Sequence, residues 1–248
     1  ITRTIGARTL FADINLTLYA GDKVGLVGRN GVGKTTFMKI IGEPTSGKVQ
    51  AGGMAVRHWG RVGYLPQDPR IEADVDLSKS VTDHVLSSMN LDAERDELAA
   101  LQAAMEADPT EKAITRYTAA QERYADKGGY TAEEKARSFA AGIGLREDRL
   151  NAPLTELSGG ELRLAEIARI LYGSPDALLL DEPTNHIDTD ARLWLLDFMR
   201  GYRGGLIVIS HDLDLLDEAI TRVIHLDRGG DTTTGTMQTK PCWQGEFF

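Results

Sequence analysis

Leu157-Ser158-Gly159-Gly160-Glu161 and, downstream of it, Ala177-Leu178-Leu179-Leu180-Asp181-Glu182-Pro183-Thr184-Asn185-His186-Ile187-Asp188 decide how this chain folds. The second stretch is an apolar run that ends abruptly in two carboxylates and a proline. Parallel strands covered on both faces read as continuous apolar runs, so Ala177–Leu180 is expected as a buried strand of an α/β sheet. Such a strand delivers Asp181 and Glu182 to its carboxyl end, where open α/β sheets hold their ligands. The first stretch opens a helix. Ser158 stands at a cap position, and Leu164, Ile167, Ala168 and Leu171 follow at helical spacing.

Upstream lies Gly28-Arg29-Asn30-Gly31-Val32-Gly33-Lys34-Thr35-Thr36. Glycine, four residues, then Gly-Lys-Thr is a phosphate-binding pattern when a strand precedes it and a helix follows. Here Lys23–Val27 is expected as the strand and Lys34–Ile41 as the helix, with Phe37, Ile40 and Ile41 on one face. Glycines let backbone N–H groups close around phosphate oxygens, and the helix N-terminus adds a favourable dipole. Lys34 suits the β- and γ-phosphates of a nucleoside triphosphate, and the Thr35 hydroxyl suits Mg²⁺. Asp181 suits Mg²⁺ as well, and Glu182 suits the positioning and polarising of an attacking water. His211, after the strand Leu206–Ser210, is placed to meet a γ-phosphate. Gln67, after Tyr64-Leu65-Pro66, can offer its amide to Mg²⁺ or to the attacking water. Ser158-Gly159-Gly160-Glu161 is a second anion-binding arrangement at a helix start. One domain has little use for two phosphate sites so far apart in sequence. The economical reading is that the second completes the nucleotide pocket of a partner domain.

Composition narrows the rest. At 248 residues the chain suggests one large domain, or one domain with an insert. No run approaches the ~20 apolar residues of a membrane span, and the first residues carry no apolar signal-peptide core. Cys242, the one cysteine, excludes an intrachain disulfide framework and fits a reducing compartment, so the cytoplasm is expected. A net charge of −9 makes the chain a poor bulk polycation; DNA is not an expected partner, and any RNA contact needs a local basic patch. His58, His84 and His225 stand in no ligand spacing that suggests zinc. The start at Ile1 reads as a processed or partial chain.

Along the chain, an early strand is expected over Phe11–Leu18 and glycine-rich hairpins of a small antiparallel sheet over residues 42–63. Residues 80–150 are helical in texture. Leu91, Leu98, Leu101 and Met105 make one stripe, and Ile114, Tyr117, Gln121 and Tyr124 a second, with Asp108-Pro109-Thr110 as the turn of a helical hairpin. Gly128-Gly129 stops the second helix, and another runs through Phe139. Helices over Asp190–Arg200 and Leu213–Ile220 then alternate with strands Leu206–Ser210 and Arg222–Asp227. That order implies a mostly parallel sheet covered on both faces. Residues 229–248 show no periodicity and read as an irregular tail.

Taken together and in this order, these motifs resemble the ATP-binding-cassette nucleotide-binding domain over residues 5–227. The resemblance implies an ABC-type P-loop fold with a mostly parallel core sheet, a small antiparallel β-subdomain and a helical subdomain. It makes Gly28–Thr35 the Walker A loop, Gln67 the Q-loop, Leu157–Glu161 the signature, and Asp181 and Glu182 the Walker B aspartate and catalytic glutamate. Ile187-Asp188 is then the D-loop and His211 the switch histidine. It implies one cassette over residues 1–228, with ATP and Mg²⁺ as cofactors and a second cassette as partner. Pro183–Asp188 is similar to the version found in the ABC-F class. The helical part, about 75–157, is long enough to carry at about 91–126 the arm inserted in the first cassette of such proteins. Many of these act on the ribosome in translation or antibiotic protection, so the ribosome is an expected partner. An ATPase subunit of a membrane transporter and a weakly hydrolysing, ATP-dependent binding module are the alternatives. Two positions depart from the family pattern. Ile5 falls where an aromatic residue usually stacks on adenine, and Glu161 replaces the commoner glutamine of the signature.

Overall fold

The computed structural model describes residues 3–5, 8–11, 16–42, 60–68, 76–228 and 235–241, with side chains over 16–42, 60–68 and 76–226. They fall into two units, Ile1–Ala73 with Ser174–Phe248, and Asp74–Gly173. The hairpins expected over 42–63 lie largely outside the described residues, as does the side chain of Ile5.

Eight strands of the first unit form one sheet. They are β1 (Arg3–Ile5), β2 (Arg8–Phe11), β3 (Lys23–Val27), β4 (Val62–Leu65), β5 (Ala177–Asp181), β6 (Gly205–Ile209), β7 (Arg222–Arg228) and β8 (Gly235–Pro241), in the order β1-β2-β8-β7-β3-β6-β5-β4. The five from β7 to β4 run parallel, because each connection between them crosses over through other structure. Helices α1 (Lys34–Gly42), α7 (Thr189–Gly201) and α8 (Leu213–Ala219) belong to these crossovers. The core gathers Val24 and Leu26 of β3, Phe37 and Met38 of α1, Leu179 of β5, Ile207 and Ile209 of β6, and Ile224 and Leu226 of β7. Each such side chain contributes ~1.5–3 kcal/mol of burial, which is why these strands read as near-continuous apolar runs.

Two expectations change. The early strand is β2, ending at Phe11, whereas residues 16–19 are irregular. Leu16 and Leu18 still pack against the core, so their apolar spacing reports burial without a ladder. The tail also contributes structure: β8 pairs antiparallel with all of β7, from Arg222↔Pro241 to Arg228↔Gly235. Its Gly-Thr-Met-Gln-Thr-Lys-Pro sequence has no apolar alternation. Backbone hydrogen bonds and threonine's β preference suffice to add a strand beside β7.

The second unit is helical. Its helices are α2 (Val81–Ser87), α3 (Leu91–Ala107), α4 (Glu111–Asp126), α5 (Gly129–Gly142) and α6 (Gly159–Tyr172). Ser80 caps α2 by accepting from the Asp83 N–H, and Thr110 caps α4 by accepting from the Ala113 N–H. Helices α3 and α4 form a hairpin around Asp108-Pro109-Thr110. Leu91 and Asp92 are buried at its base, and Leu98, Ala120 and Tyr124 are buried along the seam, with Leu101, Met105, Ala113 and Tyr117 half-buried. Ile114, expected on the seam, is 47% exposed because Ala113, one residue earlier, holds the 3–4 spacing with Tyr117, Ala120 and Tyr124.

Inside this unit a polar triad gathers around the buried Glu166 carboxylate, with His84 buried and Arg169 partly exposed. His84 Nε2 lies 2.7 Å from Glu166 Oε2, and Arg169 grips the same carboxylate with Nε at 2.9 Å and Nη2 at 2.5 Å. Burial pushes the Glu166 carboxyl up, but the hydrogen bonds from Arg169 and His84 outweigh it and hold its pKa at about 2 against the usual 4.5. A lowered folded pKa stabilises the fold above pH 4.5, and that contribution is lost as pH falls toward 2. Glu166→Gln is expected to cost about 3 kcal/mol at neutral pH by leaving buried partners uncompensated. It should also flatten the acid limb of stability, read as the urea midpoint between pH 4.5 and 2. An equally steep limb in the variant would place the acid sensitivity elsewhere.

Candidate functional site

The loop between β3 and α1 is shaped by its glycines. Gly28 has φ +155°, and a Cβ there would sit 2.3 Å from the Leu226 carbonyl oxygen on β7. Only glycine fits that approach. Gly31 and Gly33 also take positive φ, 74° and 108°. Val32 is buried and pins the loop to the core, whereas Arg29, Asn30 and Gly31 are exposed. The Lys34 ammonium donates to the Gly28 carbonyl at 2.7 Å and the Arg29 carbonyl at 3.4 Å, so it lies folded over the loop. Thr35 and Thr36, both half-buried, stand in the first turn of α1, whose leading N–H groups have no carbonyl one turn back. A ring of peptide donors, a cation and a helix start suit a chain of phosphates.

Parallel pairing brings the other groups to the same end of the sheet. Strand β6 lies between β3 and β5, and Asp181 pairs with Ile209 in register. Asp181 is 1% exposed. Glu182 follows with φ +50°, in the left-handed region that non-glycine residues rarely enter. Its N–H donates to the Ile209 carbonyl at 2.8 Å, and its carbonyl accepts from the Asn185 N–H at 3.2 Å. The His211 N–H donates to Glu182 Oε2 at 3.1 Å, and His211 Nε2 lies 3.3 Å from Oε1. The Glu182 side chain is nearly buried while the His211 ring is largely exposed. Burial pushes the Glu182 carboxyl up. The His211 peptide N–H, the His211 ring and Lys34 pull it down, and Asp181 adds to the rise. On the other side of β5, Leu65 of β4 pairs with Leu180, so Gln67 comes two residues past the pair just as Glu182 does, and it is exposed. Lys34, Asp181, Glu182, His211 and Gln67 thus follow the carboxyl ends of four neighbouring strands, the usual ligand edge of such a sheet.

Ser158, Gly159, Gly160 and Glu161 belong to the helical unit, apart from that group in sequence. Ser158 and Glu161 form a capping box at the start of α6: the Glu161 N–H donates to Ser158 Oγ at 3.2 Å, and the Ser158 N–H donates to Glu161 Oε2 at 2.9 Å. Arg149 donates to Glu161 Oε1 at 3.1 Å. That contact, with the Ser158 N–H, holds the Glu161 carboxyl at about 2. The glutamate in place of glutamine is therefore an ionised cap with its own cation.

Several side-chain links at the site escape motif reading. Arg192, in the first turn of α7, grips Asp212 with both carboxylate oxygens, Nε to Oδ2 at 2.5 Å and Nη2 to Oδ1 at 2.7 Å. Asp188 caps α7 through the Ala191 N–H, and Asp212 caps α8 through the Leu215 N–H. The only signal in sequence is an acidic residue three positions ahead of each helix interior. Among the described residues no cluster of histidine, cysteine and acidic side chains suits a metal ion, and no helix is long and apolar enough to cross a membrane.

The strand–glycine loop–helix and the carboxylates ending the next-but-one strand define a P-loop NTPase built as an ATP-binding cassette. The sequence agrees: residues 11–185 match the ABC transporter family, and the chain belongs to that family of ATP-hydrolysing P-loop proteins. The energy-dependent translational throttle protein EttA of Haemophilus influenzae is 34% identical over 222 residues, covering 90% of this chain and 39% of that protein. The tylosin resistance ATP-binding protein TlrC of Streptomyces fradiae is 32% identical over 250 residues, covering 97% of this chain and 44% of its own length. Both relatives are ABC-F proteins. The chain thus spans less than half the length of these curated relatives. A solved dimeric ATP-binding cassette, in a post-hydrolysis state with ADP and Pi, shares the fold at TM-score 0.61 and 18% identity, over 97% of this chain and 94% of that one.

Because a Cβ at Gly28 would strike the β7 backbone, Gly28→Ala is expected to destabilise the fold by about 1–3 kcal/mol. Nucleotide affinity should fall by more than that loss explains. Urea unfolding and equilibrium titration with ATP read the two effects separately; unchanged ATP affinity in a folded variant would take the loop out of the nucleotide site.

Proposed function

We propose that this chain is the first ATP-binding and ATP-hydrolysing cassette of an ABC-F type protein, in which closure of paired cassettes on ATP drives action on the ribosome. One observation carries the reading. The relatives named as a translational throttle and a tylosin resistance protein match over nine-tenths or more of this chain while extending well beyond it. The α3–α4 hairpin supports the first-cassette assignment, since it occupies the place of the arm that the family resemblance implies at about 91–126.

In this reading the Gly28–Thr36 loop holds the triphosphate, with Lys34 swinging from the Gly28 carbonyl to the β- and γ-phosphates. Thr35, Asp181 and the Gln67 amide hold Mg²⁺, which supplies charge neutralisation at the phosphates. Glu182, fixed through Oε2 by the His211 N–H, orients a water in line with the γ-phosphate and accepts its proton. The His211 ring faces the same phosphate. Ser158, Gly159, Gly160 and Glu161 serve the pocket of the second cassette: their exposed helix start offers N–H donors to a γ-phosphate held elsewhere. Hydrolysis then depends on pairing, so an isolated cassette turns over slowly. Shape change, not a released product, is the output.

Three measurements test this. Glu182→Gln should keep ATP affinity and lower the turnover rate by about 10²-fold or more. With ATP, the same variant should co-sediment with ribosomes, and its wild-type parent should do so less. The rate per cassette of the parent should rise with protein concentration. Full turnover in Glu182→Gln removes its assigned role; copurification with an integral membrane protein, without ribosomes, would favour a transporter subunit.

A further inference from the structure

Arg192 and Asp212 are joined by a two-point ion pair that bridges the first turn of α7 and the cap of α8. Both are partly shielded, with side-chain exposures of 30% and 19%. Two-point geometry between a guanidinium and a carboxylate fixes orientation as well as distance. Asp212 already caps α8 through the Leu215 N–H, and its own N–H donates to Ser210 Oγ at 3.0 Å. The cap needs no arginine, so the second partner calls for another reason.

The contacts around it close a ring. Glu182 directly follows β5, and the chain runs from it through 183–187 to Asp188, whose carbonyl accepts from the Arg192 N–H at 3.0 Å. The Arg192 side chain crosses to Asp212. Asp212 follows His211, and the His211 N–H returns to Glu182 Oε2 at 3.1 Å. Every link is a hydrogen bond or a stretch of covalent chain, and the ring starts and ends on the same residue, Glu182. The charged groups facing Arg192 are Asp212, the exposed Asp214 with an oxygen 3.8 Å away, and more distantly Glu218. Only Asp212 is held at two points.

We propose that Arg192 is a positioning residue for ATP hydrolysis. Through Asp212 it fixes the His211 backbone, and through that N–H the orientation of the Glu182 carboxylate. The inference rests on the reading of Glu182 as the group that orients the attacking water. It goes further by assigning a role to a side chain that lies outside the sequence motifs and acts through Asp212. It also ties the loop carrying Asp188 to the loop carrying His211, so that one cannot shift without the other.

The test is a double-mutant cycle on the full chain. Arg192→Met keeps the bulk of the side chain and removes its charge. Asp212→Asn keeps a good helix cap while removing the ion pair. Steady-state hydrolysis of Mg·ATP should show kcat about tenfold lower in each variant, the scale of a small misplacement of a reacting group, with KM held within about twofold. The double variant should be no slower than either single, because all three lack the same link. ATP-binding stoichiometry should stay at the parent's value. Losses that multiply in the double variant would overturn the proposal, as would parental kcat in both singles. So would a fall in rate that merely tracks lost binding stoichiometry, the mark of a purely structural pair. Glu182→Gln, run alongside, checks the underlying site separately. Full turnover there removes the reading of the site. Lost turnover there, with parental kcat in Arg192→Met and Asp212→Asn, removes only the positioning role.

Discussion

The parallel register of β3, β6 and β5 is the constraint on which the nucleotide unit depends. Lys23↔Leu206 and Val24↔Ile207 align β3 with β6, and Asp181↔Ile209 aligns β6 with β5. A one-residue slip would exchange the faces of every side chain on a strand, and core packing on these apolar runs forbids it. The register therefore delivers the glycine loop, Asp181 and Glu182, and His211 to one edge at fixed heights. At that edge stand two acidic residues that are consecutive in the chain, Asp181 and Glu182. The Asp181 charge adds to the upward push that burial gives the Glu182 carboxyl, so the pair carries a repulsion that the sheet, not the carboxylates, sustains. A divalent cation bound with the nucleotide, as proposed, would relieve such repulsion.

Much of this was legible because strands covered on both faces advertise themselves. Lys23–Val27 was read to the residue, and Ala177–Leu180 differs from β5 only at Asp181. The helical hairpin was legible too, because Pro109 and the capping Thr110 punctuate two long periodic stretches. What escaped has physical causes. The ladder of β8 rests on backbone bonding, which leaves no hydrophobic signature. Leu16 and Leu18 are apolar through burial and not through pairing. Ile114 was assigned to a seam that a small neighbour, Ala113, occupies instead; size does not reveal which of two adjacent residues faces inward. The Arg192–Asp212 pair joins residues 20 apart across a strand, beyond the reach of any local pattern. Residues 28–36 and 157–161 are legible in sequence as a glycine loop and a capped helix start, and the structure places a positive-φ glycine loop and a capping box there.

Glu161 shows how a departure from a family pattern can be absorbed locally. A carboxylate at a helix start competes in principle with any incoming anion for the same positive end. Here the Glu161 charge is already engaged by Arg149 and by the Ser158 N–H. The pair is close to neutral as a unit, so the helix dipole is left to act on whatever approaches Gly159 and Gly160, which are exposed and half-buried. A neutral glutamine would satisfy the same N–H without calling for the arginine. Glutamate and Arg149 are therefore one device, and the substitution is intelligible only when both are considered.

The backbone of Glu182 brings these arguments to one residue. A non-glycine residue at φ +50° costs ~1–3 kcal/mol, and such strain persists only where surrounding structure over-determines it. Three hydrogen bonds do so: its N–H to Ile209, its carbonyl from Asn185, and its carboxylate from His211. At a net ~0.5–1.5 kcal/mol each, with more for the charged one, they match the strain without greatly exceeding it. The conformation is thus held but not locked. The segment from 183 to 187 is tethered at one end by the strained residue and at the other by the Asp188 cap, and the Arg192 bridge closes the circuit back to His211. Relaxing Glu182 toward an ordinary strand conformation would break the hydrogen bond that orients its carboxylate. Strain and the orientation of the carboxylate are therefore two aspects of one geometry, and a force applied at His211 reaches the carboxylate through a hydrogen bond, while one applied at Asp188 reaches it through covalent chain and hydrogen bonds together.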